Sequence, residues 1–259
     1  MRHARVAYNG LVHEAVVAAD GLSLKLSDGR TVPESEVVWL PPTTPGTIIA
    51  LGLNYADHAA ELAFKAPEEP LVFLKGPNAL VGHKSVTRRP ADANQMHYEC
   101  ELTVVIGQTC RNVSRDRAYE VIAGYTVAND YAIREYLENY YRPNLRVKNR
   151  DGCTPVGPWM VDRNDVADPM DLKLSTTVNG AVVQSGSTKD MIFDIPYLVE
   201  YLTGIMTLSP GDLILTGTPQ GVVYLNPGDV VVTEVEGVGA LTNTLVSDED
   251  YYSPKARPA

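Results

Sequence analysis

Residues 96–107 read MHYECELTVVIG. In a strand, side chains two apart point the same way, roughly 6.5–7 Å apart along the backbone. On that spacing Glu99, Glu101, Thr103 and Val105 share one face, while Tyr98, Cys100, Leu102, Val104 and Ile106 share the other. The second set is an apolar stripe suited to a core. Two carboxylates therefore stand at the entrance of a strand, opposite its core face. Taken alone, the segment is explained equally well by two solvated glutamates on an edge strand, because surface glutamate is common.

A third carboxylate in a similar setting shifts the balance. GYTVAND (124–130) ends an apolar strand with Asp130 at its carboxyl end. Three carboxylates at strand ends can converge on one hard cation. Mg²⁺ or Mn²⁺ takes oxygen ligands in near-octahedral geometry and keeps water or substrate oxygens in its open positions. Spacing does not by itself require the convergence.

Cations and a histidine surround these acids in the sequence. His58 and Glu61 lie three apart in NYADHAAEL, on one face if the segment is helical. A carboxylate beside an imidazole fixes its tautomer and raises its basicity, an acid/base arrangement. An ordinary polar surface helix accounts for the same pair. Lys75 ends the strand VFLKG, and Lys148 lies in LRVKNRDG. A cation beside three carboxylates offsets their repulsion and can bind substrate oxygen. Arg134, four residues past Asp130, can grip a carboxylate with two hydrogen bonds. Arg142, Arg146 and Arg150 add positive charge, or form a solvated basic stretch. His3, His13, His83 and His97 show no ligand spacing and are given no role.

The rest of the chain is mostly strands. ARVAYNGLVHEAVV (4–17) carries an NG turn between apolar stretches, and LSDGRTV (26–32) a DG turn. Pro41-Pro42-Thr43-Thr44-Pro45 punctuates the chain, giving a small β unit over 1–45 and a main domain over 46–259. Helix is expected over 56–64, within 114–130 from Ser114 as N-cap up to the strand AGYTVAND, over 132–142 and over 195–208. Residues 171–188 read as an NG hairpin, 209–219 and 228–246 as strands, and the tail from 251 as poorly ordered. Without regular βαβ alternation, the class is strand-rich α+β rather than a Rossmann or TIM fold. TGTPQGV lacks the glycine spacing of dinucleotide and P-loop sites.

Composition narrows the function classes. A chain of 259 residues can bury a sizeable core without disulfides or a structural metal. A net charge of −10 argues against nucleic acid, which needs clustered Lys and Arg, but leaves room for a small anion held by local cations. Cys100, Cys110 and Cys153 form no CxxC pair, which suits a reducing compartment. The opening MRHARVAYNG lacks the apolar segment of a signal peptide, and no run reaches the ~18 apolar residues of a membrane span. A cytoplasmic protein is expected.

LGLNYADHAAE, PLVFLKGPNAL, MHYECELTVVIG, AGYTVANDYAIRE, ILTGTPQGV, PGDVV and EVEGVGAL, in this order, resemble the fumarylacetoacetate hydrolase superfamily over roughly residues 46–246. The resemblance implies a mixed β-roll of the family's C-terminal type, usually dimeric, with the small β unit appended. It implies that Glu99, Glu101 and Asp130 bind Mg²⁺ or Mn²⁺, that His58 and Glu61 form an acid/base dyad on a short helix, and that Lys148 stands near the metal. Lys75, Arg134 and Thr218 then line the substrate site. The tyrosine- and arginine-rich NDYAIREYLENYYRPNLRVKNRDG resembles the decarboxylase/isomerase branch more than the hydrolases. The implied substrate is an unsaturated 2-oxo di- or tricarboxylic acid from aromatic catabolism. Acylpyruvate or fumarylpyruvate hydrolysis and oxaloacetate decarboxylation are the rival activities. A non-catalytic ligand-binding protein retaining the fold is the rival of another class.

Overall fold

The structure, a computed structural model, describes residues 1–61, 65, 67–137 and 144–253, without the side chains of residues 58–60. Strands dominate, as the sequence leads one to expect. The large mixed sheet runs, in order, through Thr31–Pro33, Ser23–Leu26, Leu11–Val17, Arg2–Tyr8, Thr154–Asp162, Ile122–Asn129, Cys100–Ile106, Leu213–Leu215, Ile48–Gly52 and Leu71–Lys75. A second sheet orders Ala181–Ser187, Lys173–Val178, Val230–Val235, Gly239–Ser247 and Val86–Arg89. The NG and DG turns lie where expected, joining Arg2–Tyr8 to Leu11–Val17 and Ser23–Leu26 to Thr31–Pro33. The hairpin of 171–188 forms from Lys173–Val178 and Ala181–Ser187.

The Cys100–Ile106 strand is buried at every position. Cys100, Leu102, Val104 and Ile106 pack into the largest core cluster with Leu174, Val235 and Leu241 of the second sheet. The helix Ile195–Ile205 closes that core with Ile195, Leu198, Val199 and Leu202, a helical face repeating every three to four residues. Burying each such leucine contributes about 1.5–3 kcal/mol. The helix starts at Asp194, whose side chain accepts from Tyr197 N at 2.8 Å, with Pro196 in its first turn. The opposite face of the strand is not solvated either. Val105 joins Ile48, Ala50, Ala128, Val156, Leu213 and Leu215 in a separate cluster. Residues 1–40 hold a cluster of their own around Val6, Leu24 and Trp39, while Arg2–Tyr8 pairs with Thr154–Asp162 of the large sheet.

Two expected helices differ. Residues 115–121 form a 3₁₀-helix, and Ser114 precedes it without a side-chain cap. Residues 132–137 are not helical: Ala132–Ile133 is a strand and Arg134–Tyr136 a single 3₁₀ turn. Pairing decides this, since Ala132–Ile133 aligns with Met96–His97 and the Glu135 carboxylate accepts from Asn94 N and Gln95 N. Residues 138–142 of that expectation lie outside the described residues. The helix over 56–64 is described as Ala56–Glu61. The tail begins with a short helix, Asp248–Tyr252, in which Tyr252 accepts a hydrogen bond from Arg88, and residues 254–259 lie outside the described residues.

Candidate metal centre

The antiparallel register between Cys100–Ile106 and Ile122–Asn129 builds the centre. Cys100 opposes Asn129 and Glu101 opposes Ala128, so Glu99 and Asp130 fall opposite each other, one step beyond the paired strands. Asp130 N donates to Glu99 O at 2.9 Å, extending the ladder by that step. Directly opposed residues share a face, and Glu101, two along from Glu99, returns to it. One ligand atom from each of Glu99, Glu101 and Asp130 lies within 4.8 Å of the others, and all three residues are buried. Glu101 has 0% exposure and Glu99 6%, which rules out solvated glutamates on an edge.

Two ammonium groups hold the acids together. Lys148 Nζ donates to Glu99 Oε2 at 2.6 Å and to Asp130 Oδ2 at 2.8 Å. Lys75 Nζ donates to the other oxygen, Asp130 Oδ1, at 2.6 Å, and to the Lys148 carbonyl. The two lysines come from segments over seventy residues apart, and Asn149 ties those segments. Its Oδ1 accepts from Gly76 N at 2.6 Å, and its Nδ2 donates to Leu74 O at 3.2 Å. Burial opposes charge on Lys148, but Asp130 and Glu99 more than offset it and raise its pKa. At Glu101, burial followed by repulsion from Asp130 and Glu99 drives the pKa well above the usual carboxylate range.

Glu101 is served differently from its neighbours. Its Oε2 accepts from Gly217 N at 2.6 Å, while buried Oε1 has no hydrogen-bond partner among the described residues. Gly217 sits at φ +91°, and a Cβ there would meet Asn54 Cβ at 2.9 Å, so the TGTP turn needs glycine at this point. Asn54 fastens that turn, donating to Thr216 O at 2.8 Å and accepting from Phe193 N at 2.9 Å. An orphaned carboxylate oxygen inside a buried, all-oxygen triad fits a hard divalent cation.

Other singled-out residues divide. Arg134 stands at the rim, its guanidinium 3.6 Å from Glu99 Oε1. Thr218 follows Gly217 in the turn, and its hydroxyl accepts from Gln184 Nε2 at 3.0 Å. Glu61 accepts from Gly221 N at 3.1 Å, in the same loop. The His58 backbone lies in the Ala56–Glu61 helix, but its side chain lies outside what is described, and so does Arg142. Arg146 and Arg150 turn away to the Tyr136 ring, at 4.5 and 4.8 Å from its centroid. Asn54, Gly217, Asn149 and His97 are missed by sequence reasoning. All four sit inside quoted motifs, and none of them carries a spacing signal of its own.

A model of the fumarylacetoacetate (FAA) hydrolase C-terminal domain matches residues 47–246. The chain belongs to the fumarylacetoacetate hydrolase family. Among relatives in that family, the 4-hydroxyphenylacetate degradation bifunctional isomerase/decarboxylase of Salmonella dublin is 59% identical over 209 residues, 81% of this chain and 49% of the relative. The chain thus spans about half the length of the curated relatives it matches. A solved 5-carboxymethyl-2-hydroxymuconate delta-isomerase from Mycobacterium smegmatis is 41% identical with a TM-score of 0.86, covering 96% of this chain and 99% of that one. A 2-hydroxyhepta-2,4-diene-1,7-dioate isomerase from Mycobacterium marinum is 37% identical with a TM-score of 0.83, covering 96% and 99%. Strand content, mixed sheets and these matches establish the fumarylacetoacetate hydrolase C-terminal fold. No described helix is long and apolar enough to cross a membrane.

Proposed function

We propose that this family member is a metal-dependent decarboxylase and isomerase of unsaturated 2-oxo acids. The substrates are 5-oxopent-3-ene-1,2,5-tricarboxylate for decarboxylation and 2-hydroxyhepta-2,4-diene-1,7-dioate for isomerisation. The observation that carries the reading is the buried triad of Glu99, Glu101 and Asp130 with an orphaned oxygen on Glu101. The activities for which the relatives at 59% and 41% identity are named support it.

Glu99, Glu101 and Asp130 would hold Mg²⁺ or Mn²⁺, which when bound supplies Lewis acidity toward the oxygens of a 2-oxo acid. Lys75 aims the Asp130 carboxylate, since it binds one of its oxygens inside the protein. Lys148 and Arg134 place positive charge where negative charge builds as CO₂ leaves and its electron pair moves through the double bond to the ketone oxygen. Burial of the triad strengthens that attraction, because the local dielectric is low. Isomerisation draws on the same dienolate and needs a proton delivered at C5. His58, with Glu61 three residues on, is assigned that transfer. Thr218 lines the site beside the turn that binds Glu101.

A substrate panel with Mg²⁺ and with Mn²⁺ tests the reading. CO₂ release and dienolate absorbance are expected with the tricarboxylate and the seven-carbon diacid, and are expected to vanish on chelation. Full activity after chelation, or turnover confined to fumarylpyruvate, acetylpyruvate or oxaloacetate, refutes it. His58→Ala is expected to reduce isomerisation more than decarboxylation; equal losses would remove its assignment to proton transfer.

A further inference from the structure

His97 is buried at 1% exposure one strand away from Arg134. The two-stranded ladder aligns His97 with Ala132, so Arg134 is the diagonal neighbour on the same face. Arg134 N donates to Gln95 O at 3.0 Å, which fixes that register. His97 Nδ1 lies 2.9 Å from Tyr98 O, and a carbonyl only accepts, so Nδ1 carries the proton. Arg134 Nε lies 2.8 Å from His97 Nε2, and an arginine nitrogen only donates, so Nε2 is unprotonated. The two bonds together fix one neutral tautomer.

Arg134 has a neutral anchor, as Arg89, Arg111 and Arg163 have in backbone carbonyls, whereas other arginines are paired with carboxylates. Arg30 is held by Asp28, Arg115 by Glu200, Arg117 by Glu120 and Arg88 by Asp248, each through a carboxylate that cancels the charge. At Arg134 the carboxylate neighbour, Glu99, stands at 3.6 Å, beyond hydrogen-bond reach, and is bound by Lys148. The Arg134 side chain keeps 21% exposure at the rim of the triad. An imidazole acceptor fixes the direction of a guanidinium without spending its charge.

We propose that His97 is a positioning residue that holds the Arg134 guanidinium at the triad rim through an uncharged acceptor, leaving its charge for the anionic head of a 2-oxo acid. The proposal rests on the reading of Arg134 as a substrate-binding residue. His97 itself touches neither substrate nor metal. His97 Nδ1 also lies 3.8 Å from Glu99 Oε1, beyond hydrogen-bond reach, and its effect on anion binding is assigned to its bond with Arg134.

A double-mutant cycle on the Mg²⁺-loaded protein tests this, with oxalate as the probe because its two adjacent carboxylates mimic a 2-oxo acid head. Calorimetry is expected to show oxalate affinity falling about tenfold in His97→Leu and at least as far in Arg134→Ala, the loss of one charge-assisted hydrogen bond. The double variant should bind as Arg134→Ala does, and His97→Gln, which keeps a neutral acceptor, should stay near wild type. Equal losses from His97→Leu with and without Arg134, or failure of His97→Gln to rescue, overturn the role of His97. Unchanged affinity in Arg134→Ala instead overturns the substrate-site reading on which it rests. A second measurement needs no His97 variant. In ¹⁵N NMR, Arg134→Ala should shift the His97 Nε2 resonance and leave Nδ1 protonated; an unmoved Nε2 resonance also overturns the proposal.

Discussion

At Glu101, burial and two neighbouring carboxylates make the charge costly unless a cation answers it. Glu101→Gln keeps an acceptor for Gly217 N but removes the charge. Metal affinity should fall by about 100-fold in calorimetry, with kcat falling in parallel. The metal-free variant should be more stable than metal-free wild type. The sign follows from the raised pKa: ionisation is harder in the folded state than in the unfolded one, so wild-type stability declines as pH rises above the ordinary glutamate value. A melting comparison at pH 8 after chelation reads this; a Tm for Glu101→Gln below wild type would contradict it. Gly217→Ala acts on the same carboxylate from the backbone. Its positive φ and the 2.9 Å approach to Asn54 predict a loss of about 1–3 kcal/mol in denaturant unfolding. The sequence displays Glu101 by alternation and Gly217 as a turn glycine. That one binds the other depends on the Leu213–Leu215 strand lying beside Cys100–Ile106, a neighbour relation no local pattern encodes.

Elements turn single residues into a site. The two strands carrying the acids are legible because alternation and their apolar faces survive in any tertiary setting. The stretch 132–137 is not, since its apolar and charged residues suit a helix locally. Its pairing with Met96–His97 and the Glu135 contacts to Asn94 and Gln95 override that preference. His97 is hidden for the same reason, as its partner Arg134 is brought to it only by that pairing. The lysine-bearing elements depend on Asn149, which bonds both Gly76 and Leu74. Asn149→Ala should therefore lower stability by about 1–3 kcal/mol and also weaken metal binding, because Lys75 and Lys148 lose their common tether. Asp194→Ala is the matched control. It removes the cap of the Ile195–Ile205 helix, at a cost of about 1 kcal/mol, and should leave metal affinity unchanged. Equal metal affinities in the two variants would show that the tether does not reach the triad.

Over the whole molecule, the sheets meet at a histidine that the sequence leaves without a role. His83 Nδ1 accepts from Thr242 N at 3.0 Å, joining it to the second sheet. Its ring stands edge-on to Trp39 of the N-terminal cluster at 5.4 Å, and Trp39 in turn meets Trp159 of the large sheet at 6.2 Å. Protonation at Nδ1 would turn that acceptor into a donor facing a donor. Burial, reinforced by the charge of adjacent Lys84, pushes the His83 pKa down to about 4, while Glu34 acts weakly the other way. The unfolded chain therefore binds a proton near pH 6.5 that the fold refuses until about pH 4. The associated stability is present in full above pH 6.5 and is lost as pH falls between those values. Integrated over that interval the loss approaches about 3 kcal/mol. His83→Asn offers an acceptor that does not titrate, and its unfolding free energy should fall less than that of wild type between pH 7 and pH 4.5. The comparison isolates His83 from His97, whose pKa burial also lowers to about 4 and which both proteins retain. Parallel pH profiles for the two proteins would mean that Thr242 does not depend on a neutral His83, and that the junction of the sheets is held by its other contacts, among them the bonds from Trp159 Nε1 to Val238 O and from Lys84 N to Thr242 O.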